Sequence, residues 1–214
     1  LNELFDAGLT VQEENPFGGP HIAYYENVHR QSVEQWIKEK SIPHLLLSGK
    51  AGTGKTTLAK VLLEEIGVED DDILYANGSK EARRIEWLDK VEMFCSTTPF
   101  GPFKVVLLDE ADYLTPNAQA ILRGVMETYS NTSRFILTCN YPNRIIPALH
   151  SRCQGFHIEK VNRDDFDMRV GVVLENEGVA VDNIDVLDSY IKTTYPDMRK
   201  CLNLLQMNSG TGKL

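Results

Sequence analysis

The sequence predicts an α/β fold: a five-stranded parallel sheet covered by helices on both faces, followed by a small helical domain. Three observations carry this reading. Apolar runs that do not alternate, such as residues 103–108 (FKVVLL), read as strands buried on both faces. The segments between them carry helical spacing instead. After Lys160 the strand signal stops while helical spacing continues.

In chain order, residues 1–25 are poorly patterned, with Asn15-Pro16 and Gly18-Gly19-Pro20 as breakers. A helix follows over 27–40, with Val33, Trp36 and Ile37 on one face. Residues 44–48 (HLLLS) form a strand, a glycine loop follows, and 55–66 form a helix. The acidic stretch 64–72 (EEIGVEDDD) reads as a solvated loop. A short strand at 73–76 and a helix over 81–95 come next. After strand 103–108, Ala118, Ile121, Leu122, Val125, Met126 and Tyr129 make a helical stripe over 117–129. Thr115 and Pro116 suit its N-cap and first turn. Strands at 134–138 and 155–159 complete the five. Three helices, over 164–175, 182–193 and 197–207, form the final domain. The expected division is therefore 1–25, 26–160 for the α/β core and 161–214 for the helical domain.

The bulk composition excludes some classes. No apolar run approaches the roughly 20 residues of a membrane span, and no basic segment leads into an apolar one at the start, so neither a membrane partner nor a signal peptide is expected. The four cysteines (Cys95, Cys139, Cys153, Cys201) form no CxxC pair, which argues against zinc and a disulfide framework. Cys139 and Cys153 read as packing residues. A net charge of −9 speaks against an overall basic nucleic-acid binder but leaves room for a local basic face.

The chemistry begins at Gly49-Lys50-Ala51-Gly52-Thr53-Gly54-Lys55-Thr56, which matches GxxxxGK[ST] between a strand and a helix. Glycines let backbone N–H groups close around phosphate oxygens, and the helix N-terminus adds partial positive charge. Lys55 is expected at the β/γ-phosphates and the Thr56 hydroxyl on Mg²⁺, with the adjoining Thr57 completing the nucleotide-binding set. The near-copy Gly210-Thr211-Gly212-Lys213 lacks strand and helix and reads as a flexible tail.

The strand 103–108 ends in Asp109-Glu110. One carboxylate beside a phosphate loop suffices to help hold Mg²⁺, and Asp109 is that candidate. Glu110 is placed to act as general base toward water. Asn140, just past a strand, either orients water against the γ-phosphate or caps a helix starting near Pro142. Arg152 by itself reads as a surface ion pair. Arg199, in a helix's first turn, is explained either by a bound phosphate or by Asp197.

Together, GKAGTGKT, VVLLDEAD, LTCN, HSRCQ and PDMRK, in this order, resemble the AAA+ sliding-clamp loader ATPases, in particular the small subunits of replication factor C and the large subunit of T4-like phage clamp loaders. The resemblance covers about residues 27–207. It implies an AAA+ P-loop fold with a helical lid, ATP and Mg²⁺ as cofactors, and a pentameric ring of clamp-loader subunits. That ring acts on a sliding clamp and primer–template DNA in the cytoplasm of a prokaryotic or phage-infected cell, or in a nucleus. It implies Asn140 as a first sensor, Arg199 as a second, and Arg152 as an arginine finger completing a neighbour's site. On helix 117–129, Gln119, Arg123 and Glu127 are expected to share the face away from the apolar stripe. Arg123 reads either as a DNA-backbone contact or as the i+4 partner of Glu127. Lys80, Arg83 and Arg84 are further backbone candidates. Two departures stand out: residues 1–25 carry no EKYRP-like segment, and no collar domain is found within 1–214. Other readings are a different AAA+ DNA remodeller, such as a junction motor or initiator, and a non-hydrolysing structural subunit.

Overall fold

The computed structural model describes residues 11–12, 22–80, 86–158, 162–210 and 212–214. The chain divides into two compact units: Val11–Gly49 with Lys55–His157, and Lys50–Gly54 with Ile158–Leu214.

The first unit is built on β1 (Val11–Gln12), β2 (Leu45–Gly49), β3 (Ile73–Asn77), β4 (Lys104–Asp109), β5 (Ser133–Cys139) and β6 (Gln154–Ile158), in the order β1-β6-β2-β5-β4-β3. The five expected strands are present. The sixth, β1, lies in the segment read as unpatterned, because two residues are too few to show a period. The pairs β2/β5, β5/β4 and β4/β3 are parallel, with Leu47 opposite Thr138 and Asn77 opposite Asp109. Val105, Val106, Leu107 and Leu108 are each at most 1% exposed, as a strand covered on both faces requires.

Helices α1 (Ile22–Glu39), α2 (Lys55–Ile66), α3 (Glu86–Ser96), α4 (Pro116–Thr128) and the single turn α5 (Pro147–His150) surround the sheet. Helix α1 begins at Ile22, inside the stretch read as unpatterned. Trp87, Leu88 and Val91 of α3 and Leu122, Val125 and Met126 of α4 pack on Leu46, Val106, Leu108, Phe135 and Leu137. Helix α2 lies against β2 and β5.

The α4 stripe departs from expectation. Ile121 is 40% exposed, whereas Gln119 is fully buried instead of facing outward. Its amide explains why. Gln119 Nε2 donates to Leu114 O at 3.1 Å and Arg144 O at 3.0 Å, and its Oε1 accepts from Ile146 N at 2.8 Å. A polar side chain satisfied this fully can occupy a core position. Thr115 caps α4 by accepting from Ala118 N, with Pro116 in the first turn as expected.

The acidic stretch 64–72 is not a loop throughout. Glu64–Ile66 close α2, and Asp72 is fully buried, 3.6 Å from Lys104 Nζ and accepting from Gly101 N at 2.6 Å. Its ion-pair partner lies 32 positions later in the chain, on another element.

In the second unit, α6 (Arg163–Asn176), α7 (Ile184–Thr194) and α8 (Met198–Asn208) enclose Phe166, Val170, Leu174, Ile191, Cys201 and Leu205. Asn162, Asn183 and Asp197 cap these helices with their side chains. Gly52 has φ +77°, and a Cβ there would collide with the Asp197 carboxylate, so two constraints hold this position to glycine. Within the stretch read as a flexible tail, Gly212 O accepts from Ala180 N at 3.1 Å, and the following Leu214 N donates to Ala180 O at 2.9 Å.

Candidate nucleotide-binding site

Parallel sheets present their loops and ligand groups at the carboxyl ends of the strands. Here β2, β4 and β5 end together, and that register brings Gly49, Asp109 and Thr138 to one edge. The loop that leaves β2 needs glycine for its conformation: Gly49, Gly52 and Gly54 have φ of 148°, 77° and 90°. Within it, Thr53 Oγ1 donates to Lys50 O at 2.8 Å.

Lys55 opens α2 with only 7% exposure, and its ammonium donates to Gly49 O and to Asn140 Oδ1, both at 2.9 Å. Of the two expectations for Asn140, the cap is not what forms: the turn Pro142–Arg144 has no side-chain cap bond. Thr56 Oγ1 donates to Asp109 Oδ1 at 2.8 Å. Lys50, Ala51 and Thr57 are exposed.

Two residues that the sequence did not single out complete the arrangement. Thr138 Oγ1 donates to Asp109 Oδ1 and accepts from Glu110 N at 3.1 Å, so one hydroxyl ties β5 to both acids. Asp112 is buried and accepts from Tyr141 N at 3.2 Å, which fixes the backbone next to Asn140. Both lie inside the motifs LTCN and DEAD, so the signal was present but its meaning was spatial.

Glu110 sits at φ 56°, ψ 45°, a left-handed conformation uncommon for a residue with a side chain. Strained residues of this kind concentrate at working sites, where the surroundings hold them in place.

The donor set fits Mg²⁺. A hydroxyl and a carboxylate oxygen lie side by side, and Mg²⁺ takes few protein ligands while keeping waters. Among the described residues no cluster of three or more His, Cys, Asp or Glu forms. Cys139 adjoins this region, but burial, aided by Asp112, pushes its thiol up to about 12, and burial does the same to Cys153. Both remain protonated packing residues.

Arg152 follows α5 and engages Glu127, Ala148 O and Ser151. Arg199 is exposed in the first turn of α8, where Asp197 caps the helix and Arg199 makes no hydrogen bond or ion pair among the described residues. Arg123 Nε forms an i,i+4 ion pair with Glu127 Oε1 at 4.0 Å, one of the two readings expected for it, at a distance too long for a hydrogen bond. Lys80 is exposed beside β3, while Arg83 and Arg84 lie outside the described residues.

Residues 45–160 match the family model described as ATPase family associated with various cellular activities (AAA). The chain belongs to the AAA family of ATPases. Among curated proteins it is 40% identical over 188 residues to the replication factor C small subunit of Aeropyrum pernix, covering 86% of this chain and 58% of that one. It is 39% identical over 208 residues to the replication factor C small subunit of Methanococcus vannielii, covering 95% of this chain and 65% of that one. The chain thus spans about three-fifths of the length of these relatives. Among solved structures, the Thermotoga maritima RuvB Holliday junction branch migration motor superposes with a TM-score of 0.68 at 17% identity, covering 85% of this chain and 60% of that one. This likeness establishes the shared fold. As an AAA protein the chain binds nucleotide, and no helix among the described residues is long and apolar enough to cross a membrane.

Proposed function

We propose that this AAA chain is the ATP-hydrolysing subunit of a sliding-clamp loader, placing a clamp on primer–template DNA during replication. The observation that carries the proposal is the convergence of Lys55 with Asn140 and of Asp109 with Thr56 and Thr138 at one sheet edge. That is the equipment of a phosphate site with a metal seat and a water-activating acid beside it.

In this reading the 49–56 loop cradles the phosphates through backbone N–H groups. Lys55 gives its ammonium to the β/γ-phosphate oxygens, and Asn140, now its partner, is then free to touch the γ-phosphate or the attacking water. Thr56 and Asp109 would hold Mg²⁺, which neutralises charge on the phosphate oxygens. Glu110 accepts a proton from water as the water oxygen bonds to the γ-phosphorus. The bond from that phosphorus to the β,γ-bridging oxygen breaks, releasing ADP and phosphate. Arg199 serves this site from the helical domain, and Arg152 reaches the γ-phosphate bound by the next subunit of a pentameric ring. A finger supplied by a neighbour makes hydrolysis depend on assembly. Arg123, Lys80, Arg83 and Arg84 contact the DNA backbone. This work belongs in the cytoplasm of a prokaryotic or phage-infected cell, or in a nucleus.

Identity of about 40% to replication factor C small subunits supports clamp loading over a junction motor, whose likeness rests on fold at 17% identity. A complete set of Lys55, Thr56, Asp109 and Glu110 supports hydrolysis over a purely structural subunit. The test is ATP turnover by the full-length chain in its assembled ring, with and without clamp and primed DNA. Turnover that neither addition stimulates sinks the clamp-loader reading. Arg152→Ala should leave ATP binding intact while cutting ring turnover by about 10³-fold. A variant that no longer binds ATP would contradict the role in trans.

A further inference from the structure

Arg152 does not stand alone. Its Nε donates to Glu127 Oε1 at 2.6 Å, and its Nη2 meets the same oxygen. Nη1 donates to Ala148 O at 2.8 Å and to Ser151 Oγ at 3.3 Å. The guanidinium is therefore held along one edge by α4 and at one end by α5. Nη2 meets only Glu127 among the described residues and keeps a second N–H to give.

Glu127 has a nearer choice in sequence. Arg123 lies one turn back on α4, yet its Nε is 4.0 Å from Glu127 Oε1. The same oxygen thus ion-pairs with both arginines, but its hydrogen bonds come from Arg152, 25 positions away. The pair is half-open to solvent, with side chains 32% and 47% exposed. Ion pairs this exposed add little to stability. What the contact does supply is orientation. A free arginine samples many rotamers, whereas one pinned at Nε and Nη2 presents its remaining donors in one direction. Arg152 also helps to line an open cleft of about 440 Å³, together with Trp36, His44 and Arg134 among others.

We propose that Glu127 is the positioning residue for Arg152, holding the guanidinium in the orientation from which it reaches the neighbour's γ-phosphate. This rests on the reading of Arg152 as a finger acting in trans. A misplacement of about 1 Å in such a group costs about 100-fold in rate. Glu127→Ala in the full-length assembled ring should thus lower kcat for ATP by about 10- to 100-fold. KM for ATP and the melting temperature should stay unchanged. Glu127→Gln, whose amide oxygen still accepts a hydrogen bond, should fall between the two.

The decisive arm is the double variant. In an Arg152→Ala background, Glu127→Ala should produce no further loss, because its effect runs through the arginine. An equal loss in both backgrounds overturns the proposal, as does an unchanged or raised kcat in Glu127→Ala alone. A normal rate in Arg152→Ala alone removes the finger reading itself, and this proposal with it. A damaged Arg152→Ala beside an intact Glu127→Ala removes only the present inference.

Discussion

Lys55 and Asn140 lie 85 positions apart, yet the lysine ammonium donates to the asparagine side-chain oxygen at 2.9 Å. An anion that draws on the lysine must change what the asparagine touches. Asn140→Ala should therefore leave ATP affinity within about threefold of the parent but lower turnover about 100-fold, the usual effect of losing one charge-stabilising donor. Nucleotide titration beside steady-state turnover separates the two. Equal losses in both would make Asn140 a binding residue instead.

Thr138 is the second such junction, because its hydroxyl serves Asp109 and the Glu110 N–H together. Thr138→Val keeps the shape and the strand preference but strands that N–H. Urea denaturation should show a loss of about 1–3 kcal/mol, the cost of an unsatisfied buried polar group. Thr138→Ser should lose less.

Far from the nucleotide edge, Lys104 Nζ is 3.6 Å from Asp72, with side chains 4% and 0% exposed, and lies 4.3 Å from the Phe94 ring centroid. Removing one partner leaves an uncompensated buried charge. Lys104→Met should destabilise by about 3–5 kcal/mol, read from the denaturation midpoint. Asp72→Asn combined with Lys104→Met should recover part of that loss. A mild effect of the single variant would mean that water reaches the pair.

His44 sets a pH response. Burial first, and Arg134 second, push its pKa from the ordinary 6.5 down to about 4. Its Nδ1 accepts from Phe135 N at 3.1 Å, which requires the neutral ring. Between these two values the unfolded chain binds a proton that the folded chain refuses. The stability due to His44 is therefore complete above pH 6.5 and is lost as pH falls toward 4. His44→Gln, which still offers an acceptor, should flatten the denaturation midpoint across that window.

Local chemistry was legible in the sequence where function needs contiguous backbone. A phosphate cradle is eight residues in a row, and Lys55, Thr56, Asp109 and Glu110 could be named from their neighbours. Gln119 and Asp72 could not be placed, because polarity points outward until a distant partner is known. The amide of Gln119 meets Arg144 O and Ile146 N, and Asp72 meets Lys104; these partners come from other elements.

The sequence by itself determined the strand–helix alternation, the phosphate loop and the acids at the end of β4, since hydrophobic period and motif spacing are properties of neighbours along a chain. Only the tertiary structure decided that Thr138 would tie Asp109 to Glu110, that Asn140 would answer to Lys55, and that Glu127 would take its hydrogen bonds from Arg152. Those choices follow from strand register and helix placement, which set the distances between residues that no local pattern connects.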